Sequence, residues 1–276
     1  MSKNEILTLP NFDPQPHLKK AFPEIGNYTA IFIFGDGLVG SGTFVNTCGF
    51  DGILTAHHVA KAVFESEEFA LCIANREHGL WLQTRDFEHV PIGFPRDRPY
   101  SDEGPDLSFI IIRNAILLGI LKSLKSFCFL ESQQLRFLET PLNRLYWAVA
   151  GSPFESKAIV RPDSVPGGSL TKVSNFVGRG IFESRTKRNG FDYIDIKVPC
   201  SFENFPENYE GVSGGGFWVI PMEIDSSENV NTIAHAKPLL AGVAFYQSEP
   251  LNGEIILTGH GYESVYSGVR DVLKSK

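Results

Sequence analysis

Three short stretches of the chain hold residues that could do nucleophilic chemistry together. GVSGGG, from Gly211 to Gly216, sets a serine among glycines. ILTAHHVA places adjacent His57 and His58 after an apolar run, and EGPDLSFIII puts Asp106 directly before a run too apolar for a surface strand. A serine hydroxyl is a poor nucleophile at neutral pH until a neighbouring base, usually imidazole, takes its proton. A carboxylate that accepts the other ring N–H fixes the tautomer of that base and stabilises the imidazolium. Glycines allow a tight turn beside the serine, so the N–H groups of Gly211 and Ser213, two residues apart, can converge on a developing oxyanion. Taken singly, each stretch also has an ordinary structural use: a flexible turn, half-buried loop histidines, an aspartate capping a strand.

GVSGG also satisfies the G-x-S-x-G pattern of α/β-hydrolases, and two observations separate the possibilities. A hydrolase elbow leads into a helix, whereas Ser213 is followed by glycines and then FWVIP, which reads as a strand. In hydrolases the acid and the histidine follow the serine, whereas here His58 and Asp106 both precede it.

The elements that must hold these residues are mostly strands. Short apolar, β-branched or aromatic runs recur between Gly, Asp, Asn and Pro: YTAIFIF, SGTFV, GILTA, FALCI, LSFIII, LYWAVA, YIDIKV, GFWVI, LLAGVAF and EIILT. That rhythm predicts an all-β protein. Gly35-Asp36-Gly37 and Arg188-Asn189-Gly190 supply the positive φ angles of tight hairpins. The two histidines fall at the end of a strand, where successive side chains face opposite ways. Helices are expected after His58, near Ile116 to Lys125, and in the terminal ESVYSGVRDVLKS, where Val265, Val269, Val272 and Leu273 share a face. Trp81, Trp147 and Trp218 read as core or half-buried strand residues. Residues 1–27 hold four prolines and little periodicity, which reads as an extension wrapping the body. Two β units follow, joined by the looser stretch from Asn114 to Asn143.

A chain of 276 residues can bury a sizeable core. Its formal charge of −7 and the lack of a Lys/Arg cluster argue against a nucleic-acid partner. Cys48, Cys72, Cys128 and Cys200 are scattered, with no CxxC pair or metal-ligand spacing, and read as reduced thiols. The first residues lack the apolar core of a signal peptide, and the most apolar run, Ala115 to Leu124, falls well short of the roughly 20 residues that span a bilayer. The expectation is a cytoplasmic protein without a membrane partner.

With these residues in place, the sequence resembles the trypsin-like serine peptidases of the chymotrypsin fold, and more particularly their disulfide-free bacterial branch with the HtrA-type proteases. TAHHV matches the family's histidine motif and gives the base to His58, Asp106 in DLSFI matches the aspartate, and Gly211, Ser213, Gly214 and Gly215 match the G-x-S-G-G motif. GSGTFV, LYWAVAGSP, LLAGVAFY and the terminal helix fall where the family has similar elements. The resemblance covers most of residues 28–273. It implies two antiparallel six-stranded β-barrels with the active site between them and a C-terminal helix. Residues 28–135 would form the first barrel with His58, Asp106 and the linker, and residues 136–276 the second with Ser213 and the helix.

The implied activity is a serine endopeptidase that needs no metal or cofactor, with Gly211 and Ser213 as the oxyanion hole. Ala244 to Tyr246 would pair with a substrate peptide, and Glu207, Phe245 and His260 would stand near its primary side chain. Glu207 and Glu210 favour a basic side chain and His260 an acidic one, so the preference stays open. Val212 stands where digestive members carry an aspartate that pairs with a new amino terminus. Control then falls to a partner or to the loop before Ser213. The alternatives are a peptide-binding module without catalysis and a serine esterase.

Overall fold

The β-branched and aromatic runs form strands because such side chains suit a pleated, half-buried surface. The computed structural model describes residues 15–34, 37, 39–72, 80–93, 104–139, 145–156, 158–160, 170–172, 174–201, 205–221 and 237–276. Helix α1 (Gln15–Tyr28) precedes β1 (Thr29–Ile33), β2 (Val39–Thr47) and β3 (Phe50–Thr55). Then come α2 (His57–Phe64), β4 (Glu68–Cys72), β5 (Leu80–Gln83), β6 (Phe87–Gly93) and β7 (Leu107–Ile112). These strands make one curled sheet in the order β5-β4-β1-β2-β3-β7-β6. Helix α3 (Ala115–Leu124), a two-residue β8 (Cys128–Phe129) lying parallel to β2, and α4 (Leu130–Glu139) cross to the second unit.

The second unit contains β9 (Leu145–Gly151), the small pair β10 (Ala158–Val160) and β11 (Leu170–Lys172), β12 (Phe176–Arg188) and β13 (Phe191–Pro199). It continues through β14 (Gly216–Pro221), β15 (Leu239–Gln247) and β16 (Glu254–Gly261), then a π turn at Ser264–Gly268 and α5 (Val269–Leu273). Strands β12-β13-β16-β15-β14-β9 close into an antiparallel barrel. The molecule is therefore mostly β with a closed six-stranded barrel, a curled sheet that stays open among the described residues, and a terminal helix. This is the chymotrypsin-like double-barrel architecture, with its first barrel as a half-barrel.

Strand β7 links the two cores. Its odd residues Leu107, Phe109 and Ile111 join the cluster that fills the closed barrel, and its even residues Ile110 and Ile112 join the interior of the curled sheet. Two-residue periodicity thus places a strand buried on both faces at the seam. Tyr193 and Phe245 come from the closed barrel yet pack into the curled sheet's cluster, so the seam is filled with aromatic side chains.

Several local features differ from the sequence-based expectation. Residues 1–14 lie outside the described residues, but 15–28 form a helix whose Leu18, Ala21 and Ile25 are buried in the main cluster. Pro23 and Gly26 obscure its periodicity, and Pro23 lies exposed within the helix. Trp81 is 60% exposed on β5, whereas Trp147 and Trp218 are buried as expected. Of the two hairpins, Gly35 and Asp36 fall outside the described residues, and Asn189 and Gly190 adopt φ of 52° and 81° between the paired β12 and β13. All four cysteines are free thiols. Among the described residues, no helix is long and apolar enough to cross a membrane.

Lys125, after α3, is buried and donates to the Gly26 carbonyl at 3.1 Å, fastening the end of α1. Burial lowers its pKa to about 8, against a smaller opposite influence of Cys72. Because the folded pKa lies below the unfolded one, the unfolded state binds more protons between them, and stability rises with pH across that window. Near pH 7 the buried charge disfavours folding by about 3 kcal/mol. Lys125→Met removes that penalty and loses one hydrogen bond, so we expect it to stabilise the protein by about 2 kcal/mol at pH 7. The gap between variant and wild type in urea denaturation should close between pH 8 and 10.5. A gap that stays constant over that range would contradict the assignment.

Candidate active site

The antiparallel register of β3 and β7 brings the histidines to the aspartate. Thr55 is opposite Ser108, so continuing both strands by two residues sets position 57 opposite position 106. His57 and His58 do not end β3, as the sequence suggested. The chain breaks from the strand at Ala56 and both residues open α2, with no side-chain cap to mark its start. The helical turn, not strand alternation, sends the two rings apart.

His58 Nδ1 lies 2.6 Å from Asp106 Oδ2, and the His58 backbone N–H donates to Asp106 Oδ1 at 3.0 Å. Burial pushes the Asp106 carboxyl pKa up, but the His58 hydrogen bonds and nearby imidazoles more than offset this, and the net shift is downward. An ionised carboxylate only accepts, so the proton of this pair sits on His58 Nδ1 and leaves Nε2 as the basic nitrogen. His57 turns the other way: its Nδ1 lies 2.9 Å from Ser108 Oγ, which is also 2.9 Å from His89 Nε2. The His57 and His89 rings stack 5.2 Å apart. Burial is the main cause lowering both pKa values, that of His89 to about 4, so both rings are neutral at pH 7. Neither of these two rings therefore brings a positive charge to compete with His58 for Asp106.

Ser213 lies in the turn between Tyr209 and β14. Its Oγ is 3.5 Å from the Phe245 carbonyl, a distance at the outer limit of a hydrogen bond. The N–H groups on either side of it are aimed by their own peptide carbonyls. The Glu210 carbonyl accepts the Phe154 N–H at 2.6 Å, and the Val212 carbonyl accepts the Gly215 N–H at 2.7 Å. In a trans peptide the N–H points opposite to the C=O. Pinning those two carbonyls therefore directs the Gly211 and Ser213 N–H groups away from them, and Gly211 reaches this conformation at φ of 90°. Val212 is buried.

Further groups brace the turn. Ser41, fully buried on β2, donates its N–H to the Ser213 carbonyl at 2.9 Å and its hydroxyl to the Gly211 carbonyl at 2.7 Å. The same hydroxyl accepts the Ser152 N–H, and Thr55 Oγ1 donates to the Ser41 carbonyl at 2.6 Å. The Glu155 carboxylate accepts the N–H groups of Glu207 and Asn208 at 2.9 and 3.0 Å. Gln247 Oε1 accepts the Tyr209 N–H at 2.8 Å. None of Ser41, Glu155 and Gln247 stood out in the sequence. Only Ser41 had a signal, its place in GSGTFV.

The remaining sequence-derived residues fall as follows. Ala244 is buried and exchanges hydrogen bonds with the turn, accepting from the Gly214 N–H and donating to the Gly215 carbonyl. Phe245 is buried, Tyr246 is exposed at the barrel edge, and Glu207 is an exposed loop residue. His260 is 0% exposed, with Nε2 accepting the Asp106 N–H at 2.8 Å, a position behind the aspartate and not on an open pocket wall.

Strand order, barrel closure and the terminal helix define the chymotrypsin-type double-β fold, with His58, Asp106 and Ser213 at the seam of its halves. No protein-family model matches the chain, and no curated protein does. Similar solved structures include a thermostable serine protease, AL20, from an extremophilic microorganism, at 12% identity and a TM-score of 0.44 over 90% of this chain and 96% of that one. The protease Anisep from Arthrobacter nicotinovorans is 14% identical, with a TM-score of 0.41 over 88% of this chain and 93% of its own. The HtrA-type protease AlgW with a tripeptide is 14% identical, with a TM-score of 0.46 over 95% of this chain and 64% of that one. At such identities the likeness concerns the path of the chain, and the chemistry rests on this chain's own residues.

Proposed function

We propose that this protein is a serine endopeptidase in which His58 is the base, Asp106 orients it and Ser213 is the nucleophile. The observation that carries this reading is the doubly bonded His58–Asp106 pair, whose tautomer leaves Nε2 basic, together with a serine turn whose peptides are pinned and which Ser41 ties to β2. His58 Nε2 takes the hydroxyl proton as Ser213 Oγ attacks a peptide carbonyl, and the Gly211 and Ser213 N–H groups stabilise the oxyanion. His58 then protonates the leaving amine. Water, deprotonated by the same histidine, releases the acid from the acyl-enzyme. Ala244 spends both backbone groups on the serine turn, so of the stretch Ala244 to Tyr246 it is Phe245 and Tyr246 that would hold the substrate as an added antiparallel strand.

The partners are a protein or peptide substrate and, for control, a regulatory protein or the loop held by Phe154 and Glu155. The proposed acyl transfer calls for no metal or organic cofactor. A fluorophosphonate, which phosphonylates activated serines, should label the wild-type chain and leave Ser213→Ala unlabelled. Equal labelling of both proteins would overturn the assignment of the nucleophile. A wild type that stays unlabelled at every pH from 6 to 9 would favour a peptide-binding module without catalysis.

A further inference from the structure

His260 is the one residue of the closed barrel that the described hydrogen bonds connect directly to Asp106. It lies on β16, paired with Val243 on β15 and Tyr193 on β13. The residue after Val243 is Ala244, whose carbonyl and N–H bond Gly214 and Gly215 of the serine turn. A short rigid path thus runs from the serine turn through β15 and β16 to His260 Nε2, and from there across the seam to the Asp106 backbone.

We propose that His260 is a positioning residue, its Nε2 lone pair setting the Asp106–His58 pair in register with Ser213 across the seam between the two halves. The inference rests on the serine-peptidase reading. Its chemistry follows from burial. The ring is fully buried among Phe191, Tyr193 and Phe245, with centroids 5.1 to 5.4 Å away. Burial holds its pKa near 4, so the ring is neutral at pH 7, and with Nε2 accepting, the proton is on Nδ1. That Nδ1 has no hydrogen-bond partner among the described residues.

A buried N–H without an acceptor is unfavourable, and an aromatic cage of this kind would accept phenylalanine without that penalty. What histidine adds is the acceptor. Without it the buried Asp106 N–H would be an orphan at the point where β7 begins, and the aspartate would be free to shift by the few tenths of an ångström to which a 2.6 Å His–Asp bond is sensitive.

The test compares His260→Phe and His260→Gln in the full chain. Glutamine offers Oε1 where Nε2 stands; phenylalanine keeps shape without an acceptor. Two readouts are followed: the maximal rate of Ser213 phosphonylation by a fluorophosphonate, and the low-field proton resonance of His58 Nδ1–H, which does not depend on turnover. His260→Phe is expected to lower the maximal rate 10- to 100-fold, with the probe concentration for half-maximal rate unchanged, and to lose the low-field signal to exchange. His260→Gln should restore both, the rate to within threefold of wild type. Wild-type rate and signal in His260→Phe would overturn the proposal, as would a glutamine variant as impaired as the phenylalanine one. Should the phenylalanine variant fail to fold, His260→Asn, whose acceptor falls short of the Asp106 N–H, takes its place with the same expected losses. A wild type that resists the probe, with a low-field signal lost in the phenylalanine variant and kept in the glutamine one, would sink the peptidase reading and leave the positioning role standing.

Discussion

Asp106→Asn is expected to slow phosphonylation of Ser213 by on the order of 10⁴-fold while leaving the protein folded. The two carboxylate oxygens are both acceptors here, one for the His58 backbone N–H and one for Nδ1–H. Asparagine has one carbonyl oxygen and one NH₂ to put in their place. If the oxygen stays with the backbone N–H, the NH₂ donates to Nδ1, the ring proton moves to Nε2, and the base faces Ser213 already protonated. If the amide is reversed, its NH₂ opposes the backbone N–H and the start of α2 is pushed away. The first arrangement removes a basic Nε2, and the second keeps the tautomer but displaces the His58 ring.

The same substitution carries a stability signature. The folded pKa of Asp106 lies below its unfolded value, so its ionised form contributes stability that is present above about pH 4 and lost as pH falls through the folded pKa. Acid unfolding of Asp106→Asn should therefore be shallower than that of the wild type. Rates from time-resolved gel fluorescence and melting curves from circular dichroism check both parts. A loss smaller than tenfold would remove Asp106 from the role proposed for it.

What could be read from the sequence was the chemistry-bearing residues and the strand rhythm, because both are local. A serine among glycines, a histidine after a strand and an aspartate before one are recognisable from residue type and order. The braces of the site are not, because each joins positions far apart in the chain. Ser41 meets Gly211 across 170 residues and His260 meets Asp106 across 154. Ser and His at those places look like any others until register brings them together.

Helix α1 was hidden for a different reason. Its buried stripe of Leu18, Ala21 and Ile25 has helical spacing, but Pro23 and Gly26 lower the intrinsic preference, and tertiary burial overrides it. The start of α2 had no capping side chain to announce it, which left the histidines looking like strand residues. His260 was legible only as a polar residue near the site. Its burial behind Asp106 follows from the β13–β16–β15 register, which one sequence does not reveal.

Gly214→Ala is expected to destabilise the protein by about 4 kcal/mol, an effect reserved for a short list of mechanisms of which backbone overlap is one. Gly214 has φ of 85°, where an added Cβ is strained whatever its surroundings. The surroundings are worse than the strain. A Cβ at this position would overlap the Ser41 carbonyl oxygen and the Thr55 hydroxyl. Those two atoms already share a hydrogen bond, and Ser41 in turn holds the Ser213 and Gly211 carbonyls. Neither atom is the far end of a flexible side chain, so relief requires β2 and the serine turn to separate. Separation breaks the Ser41 N–H bond to Ser213 and loosens the contact that keeps the curled sheet against the barrel.

At roughly 2–4 °C per kcal/mol for chains of up to about 250 residues, the melting temperature should drop by about 10 °C. Whatever fraction remains folded should phosphonylate Ser213 at least 100-fold more slowly, because the Ser213 N–H is itself one of the donors proposed for the oxyanion. Gly268→Ala is the matching control: an added Cβ there meets nothing within 4 Å. It should leave stability within about 0.5 kcal/mol of wild type or raise it slightly. Equal melting temperatures for the two variants would mean that the packing of Gly214 against Ser41 and Thr55 does not hold the halves in register.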